Sequence, residues 1–113
     1  MSTVLILRPA PDAARTAARV EEAGFIPLIA PVMAIEPVVF TLPAMEGIDA
    51  LIATSPHALP DTLLARVPRL PFYCVGKRVE QRVHDAGFPV AMAAADSDAL
   101  CEAMRDAPPR HAL

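Results

Sequence analysis

"RVEEAGFIPL" occupies residues 19–28, and "RVHDAGFPVA" occupies residues 82–91. Each copy has Arg-Val, two polar residues, Ala-Gly-Phe, and then proline with aliphatic residues. Glycine has no Cβ and enters the left-handed region at little cost, so a glycine just after an amphipathic run is a common helix stop. Gly24 and Gly87 are therefore expected to end helices, with Phe25 and Phe88 folding back on the last turn. Residues 26–30 and 89–92 then begin strands. Two such helix-to-strand joints predict repeated βα units and a parallel sheet, because parallel neighbours need a crossover between them.

Outward from these joints, residues 4–7 (Val-Leu-Ile-Leu) form a continuous apolar run, as expected of a strand buried on both faces. Arg8-Pro9-Ala10-Pro11 breaks it, and Asp12 is the expected N-cap of a helix over 13–23. A second strand is expected over 28–32. Residues 33–39 read as an extended crossing segment, divided by Pro31 and Pro37. Further strands are expected at 49–54, 72–75 and 90–93, with helices over about 57–66, 77–86 and 98–106. Asp96-Ser97-Asp98 caps the last of these. The expected organisation is a strand-helix-strand unit at 1–34, an extended linker at 35–48 and an α/β unit at 49–113.

A chain of 113 residues is expected to bury one ordinary core. Although 54% of it is hydrophobic, no apolar run approaches the roughly 20 residues that span a bilayer. The Met-Ser-Thr start leads directly into a strand with no basic region. The expectation is a soluble, cytoplasmic protein without membrane partners. A formal charge of −3 argues against a nucleic-acid partner, which would call for a basic face. Cys74 and Cys101 are too few for a disulfide framework or a zinc cluster, and Cys74, in an apolar run, reads as a core residue. No glycine-rich dinucleotide loop, phosphate loop or His/Cys metal spacing occurs, so neither cofactor nor metal is expected. His84 and His111 read as solvated.

The remaining candidates lie where strands end. In open parallel sheets, ligands bind beyond the carboxyl ends of strands, where helix N-termini offer unpaired N–H groups to anions. Three corners qualify: Arg8-Pro9, Thr54-Ser55-Pro56-His57 and Gly76-Lys77-Arg78. Each supplies donors that carboxylates accept. The same residues also have a structural reading, with Ser55 as a helix cap, Arg8 as a surface charge and Gly76 as a turn.

These corners carry a resemblance. "VLILRPAPDAARTAARVEEAGFIPLIAPVMAIEP", "DALIATSPHAL", "FYCVGKRVEQRVHDAGF" and "AADSDAL" resemble, in order and spacing, the first half of the uroporphyrinogen-III synthase family. That family closes hydroxymethylbilane, a linear tetrapyrrole polycarboxylate, into uroporphyrinogen III, losing water and inverting the last ring, in tetrapyrrole and heme biosynthesis. The resemblance implies two flavodoxin-like α/β lobes joined by a two-stranded link, with substrate gripped largely by backbone N–H groups and no cofactor. Arg8 matches the basic residue after the first strand, Thr54-Ser55 the hydroxyl pair after the third, and Gly76 the glycine of the "VG" turn. The match departs in two ways. Val79 stands where members often carry threonine, and Tyr73 aligns with a strand-borne tyrosine rather than the one proposed to assist loss of the hydroxyl. The resemblance therefore implies no catalytic group among these residues.

Family members continue through a second half that repeats the pattern, so this chain reads as a half-length form. Pro31, Pro37 and Pro43 favour an extended link. That predicts a homodimer in which two chains exchange strand-helix-strand units; the alternative is one five-stranded sheet within a single chain. Two functions follow as expectations: the lyase itself, or a non-catalytic anion- or tetrapyrrole-binding module descended from it.

Overall fold

A computed structural model describes residues 1–113. Its five strands form two parallel sheets, of two and three strands, in two units, Met1–Phe40 and Thr41–Leu113. The architecture is α/β, with parallel sheets flanked by helices.

In the first unit, strand β1 (Thr3–Ile6) and strand β2 (Ile26–Ile29) pair in parallel, and helix α1 (Ala10–Glu22) makes the crossover. The register sets Leu5 beside Leu28 and Ile6 beside Ile29. Side chains alternate faces along a strand, so these two pairs lie on opposite sides. Ile6 packs against Ala13 and Ala17 of α1, with Val4 and Val20 at the margin. Leu5 and Leu28 on the other face are 55% and 53% exposed. The expectation of a strand buried on both faces fails here because one crossover helix covers only one face.

Asp12 is not the N-cap of α1. The helix begins earlier, after Pro9, and Asp12 is a buried first-turn acid paired with Arg15. Proline is tolerated in the first turn because the N–H it lacks has no helical acceptor there. The Pro-Ala-Pro stretch therefore opens the helix instead of delaying it.

In the second unit, β3 (Leu51–Ala53) is followed by a 3-10 turn at Pro56–Ala58 and a short helix α2 (Asp61–Leu64). The single helix expected over 57–66 does not form. Pro60 lies in its middle, removes a donor and clashes with the preceding turn, so the chain restarts its helix after that residue. Strand β4 (Phe72–Val75), helix α3 (Lys77–Asp85), strand β5 (Val90–Ala94) and helix α4 (Ser97–Met104) complete the unit, with strand order β3-β4-β5. Phe72, Cys74, Val79 and Val83 are its most deeply buried side chains.

Both copies of the repeated phrase form the same joint. Gly24 (φ +85°) donates to Glu21 O and Phe25 to Val20 O; Gly87 (φ +81°) donates to His84 O and Phe88 to Val83 O. These bonds satisfy the last carbonyls of each helix. The copies differ in cover. Phe88 is 6% exposed, meets Phe72 edge-to-face at 5.2 Å and lies under the Arg69 guanidinium, whereas Phe25 is 45% exposed.

The last residues add a short parallel ladder beside β3. Ala112 bridges Ala50, Ile52 N–H donates to Leu113 O at 2.7 Å, and Leu113 N–H donates to Ala50 O at 3.0 Å. The Asp49 carboxylate accepts from the N–H groups of Arg110 and His111, both at 3.1 Å. No helix is long and apolar enough to cross a membrane.

Candidate functional site

Strands β3 and β4 run parallel with Ala53 opposite Cys74. Adjacent strands lie about 4.8 Å apart, so chains leaving two parallel neighbours at nearly the same level emerge side by side. Thr54 and Ser55 leave β3 at the rim where Gly76 and Lys77 leave β4. Five of the six candidate residues, Thr54, Ser55, His57, Gly76 and Lys77, thus belong to one rim of the three-stranded sheet. Arg8 follows β1 in the first unit, where its Nη1 donates to Thr16 Oγ1 at 2.9 Å.

The two corners are built differently. Ser55 is extended (φ −146°, ψ 137°), and its Oγ accepts from His57 N–H at 3.2 Å, so it does cap the 3-10 turn. That leaves the hydroxyl hydrogen to donate outward. Thr54, His57 and Lys77 are exposed. At the second corner, Gly76 adopts φ +88°, ψ 151°, a region essentially reserved for glycine, and donates to Ala94 O at 2.7 Å. Glycine has no side chain to cap α3. The first helical bond accepted here runs from Glu80 N–H to Gly76 O, so the amides of Lys77 and Val79 precede any helical acceptor.

Electrostatics separates this corner from the next one. Strand β5 opens onto the same rim, but α4 is capped from within: Asp96 Oδ1 accepts from Ala99 N–H at 2.7 Å, and Asp98 lies in the first turn. The start of α4 thus carries its own anion. The start of α3 has none on its cap, and its first turn carries Lys77 and Arg78 along with Glu80, against the two acids Asp96 and Asp98 at the start of α4. An external carboxylate is favoured on the β3–β4 side of the rim.

An apolar cavity of about 120 Å³ beside β3 is bounded by Leu51, Ala53, Leu59, Leu63, Phe72 and Leu113. None of the six candidates lines it, and it offers little to a polyacid. Val79 is 2% exposed within the core. Cys74 is also buried, and burial first, then the charge of Glu80, pushes its thiol up to about 11. It is a core residue and not a nucleophile. No group of His, Cys, Asp and Glu could hold a metal ion.

Sequence reasoning missed Arg82, which joins α3 to the end of the turn after β3. Arg82 donates to Leu59 O through Nε at 3.1 Å and Nη2 at 2.9 Å. The bond spans 23 positions, so no local pattern announces it.

The family model described as uroporphyrinogen-III synthase HemD matches residues 14–113, which include all five rim residues but not Arg8. The chain belongs to the uroporphyrinogen-III synthase family. Its α/β units with parallel sheets agree with the flavodoxin-like lobe of that family, and membership ties it to tetrapyrrole biosynthesis. No curated protein matches the chain.

Proposed function

We propose that this chain acts in uroporphyrinogen-III synthesis, gripping carboxylate side chains of hydroxymethylbilane at the β3–β4 rim while water is lost and the last ring is inverted. The setting is cytoplasmic heme biosynthesis. The observation that carries this reading is the side-by-side exit of Thr54-Ser55 and Gly76-Lys77 from adjacent parallel strands, with uncapped amides at the start of α3. Ser55 O–H, the Lys77 ammonium and the first-turn amides supply the donors, and His57 flanks them; Arg8 is a separate candidate donor within the first unit.

Val79 favours a second reading. Where the family often carries threonine, this side chain is apolar and buried, so it gives the substrate no hydroxyl. That departure fits a module that binds tetrapyrrole without turning it over. Incubation with freshly made hydroxymethylbilane separates the two. Type I product forms spontaneously, so type III product marks the lyase, whereas saturable binding with only type I product marks the binding module. Neither binding nor type III product leaves the rim residues with structural roles alone.

The proposal includes a homodimer formed by exchange of strand-helix-strand units. Its support is the first unit, a two-stranded parallel sheet with one face uncovered at Leu5 and Leu28, an arrangement that parallel sheets rarely leave to solvent. Light scattering at micromolar concentration should give twice the chain mass; a monomer mass excludes the exchange.

A further inference from the structure

We infer that Arg82 is a positioning residue, holding the Ser55–Leu59 turn against α3 so that the two rim corners act as one anion-binding surface. The inference rests on the rim reading above. Of the residues in the turn between β3 and α2, Leu59 is the buried one. Pro56 and Pro60 have no N–H, and the turn's backbone bonds are the short-range ones from Ala58 to Ser55 O and from Leu59 to Pro56 O. The 3-10 turn spans three residues, and its hydrogen-bond geometry is poorer than that of an α-helix.

Arg82 supplies the long-range restraint. Its planar guanidinium forks onto Leu59 O, and the same Nη2 donates to Asp61 Oδ1 at 2.6 Å. Leu59 is 4% exposed and anchors in the core. Asp61 has a side chain 93% exposed, so its ion pair is solvated and adds little. The carbonyl clamp is therefore the part that fixes geometry. It connects the turn that begins at Ser55 to the helix that begins at Lys77, and it sits about 7.5 Å further along that helix at ~1.5 Å per residue. A lysine offers a point charge in place of the fork and matches this carbonyl less well.

Arg69 provides an internal control. It donates to Gly87 O at 2.5 Å and to Ala86 O at 3.4 Å, clamping the opposite end of α3. A merely structural role predicts that Arg69→Ala and Arg82→Ala behave alike.

The test is a fluorescence titration with uroporphyrin I, a stable tetrapyrrole polycarboxylate, on variants of the 113-residue chain whose urea midpoints are also measured. Arg82→Ala should weaken binding roughly tenfold, while Arg69→Ala stays within about twofold of wild type despite a lowered midpoint. Arg82→Lys should recover part of the loss. Where Arg82→Ala fails to fold, Arg82→Gln keeps the stem as far as a donor nitrogen at the Nε position and should lose roughly threefold. Wild-type binding in the folded Arg82 variant, or equal losses in the Arg69 and Arg82 variants, overturns the inference while leaving the rim reading intact. Wild-type binding in both Ser55→Ala and Lys77→Ala removes the rim reading and takes the inference with it.

Discussion

Ala53 and Cys74 face each other as the last register pair of the β3–β4 ladder. That pairing brings Thr54-Ser55 and Gly76-Lys77 to one rim, and the functional account rests on it.

Gly76 is the backbone element of the rim most sensitive to substitution. A Cβ there would meet nothing within 4 Å, so the difficulty is conformational and not spatial. Forcing alanine to φ +88° should cost about 1–3 kcal/mol. Urea unfolding of Gly76→Ala checks this, and a variant as stable as wild type would mean that the turn relaxes freely.

The repeated phrase makes a prediction by its asymmetry. Phe88→Ala empties a core position and should cost about 3–5 kcal/mol, whereas Phe25→Ala, at an exposed site, should cost less than about 1 kcal/mol. Equal losses in denaturant melts would show that Phe25 is covered in solution, as the exchanged dimer requires of some part of that unit.

Cys74 and Cys101 should differ in reactivity. Cys74 is buried with its thiol raised from 9.0 to about 11, while Cys101 is exposed. One thiol per chain should alkylate quickly at neutral pH, and the second only on unfolding. The folded state favours the neutral Cys74 thiol, so its contribution to stability is complete below pH 9.0 and is lost as pH rises toward about 11. Unfolding midpoints measured from pH 8 to about pH 11 should fall in wild type and flatten in Cys74→Ala.

Asp49 should govern the terminal ladder. The N–H of His111 first, then that of Arg110, holds its carboxyl below 3.8, with burial acting in the opposite direction. A depressed carboxyl stabilises the fold above its unfolded value and loses that contribution as pH falls through the folded one. Exchange of the Ile52 and Leu113 amides, taken relative to their intrinsic rates at each pH, should therefore be slow at neutral pH and faster below pH 3.8. Asp49→Asn should accelerate it at neutral pH too. Unchanged protection in that variant would assign the ladder's stability to its backbone bonds alone.

Much of this fold is legible in the sequence because its signals are local. Residues 72–75 form a strand as their apolar run implies, and both Ala-Gly-Phe joints close their helices. Asp96 caps its helix through its own side chain. The failures have physical causes as specific as the successes. Pro9 and Pro11 opened a helix where they read as a break, and Pro60 divided the one expected over 57–66. The ladder at Ala112 follows Pro108-Pro109 with no strand pattern of its own; pairing with Ala50 across the chain decides it. At the candidate site, the exit corners were visible as motifs. Their separation into an uncapped α3 and a self-capped α4, and the Arg82 clamp, depend on contacts that only the folded chain brings together.

The most direct test of the central claim is a map of backbone amide chemical shifts in the ¹⁵N-labelled protein titrated with uroporphyrin I. The account predicts saturable shifts concentrated at Thr54–His57 and Gly76–Lys77, with the start of α4 unmoved. Shifts gathered at the apolar cavity beside β3, or none at the β3–β4 rim despite binding, would contradict it.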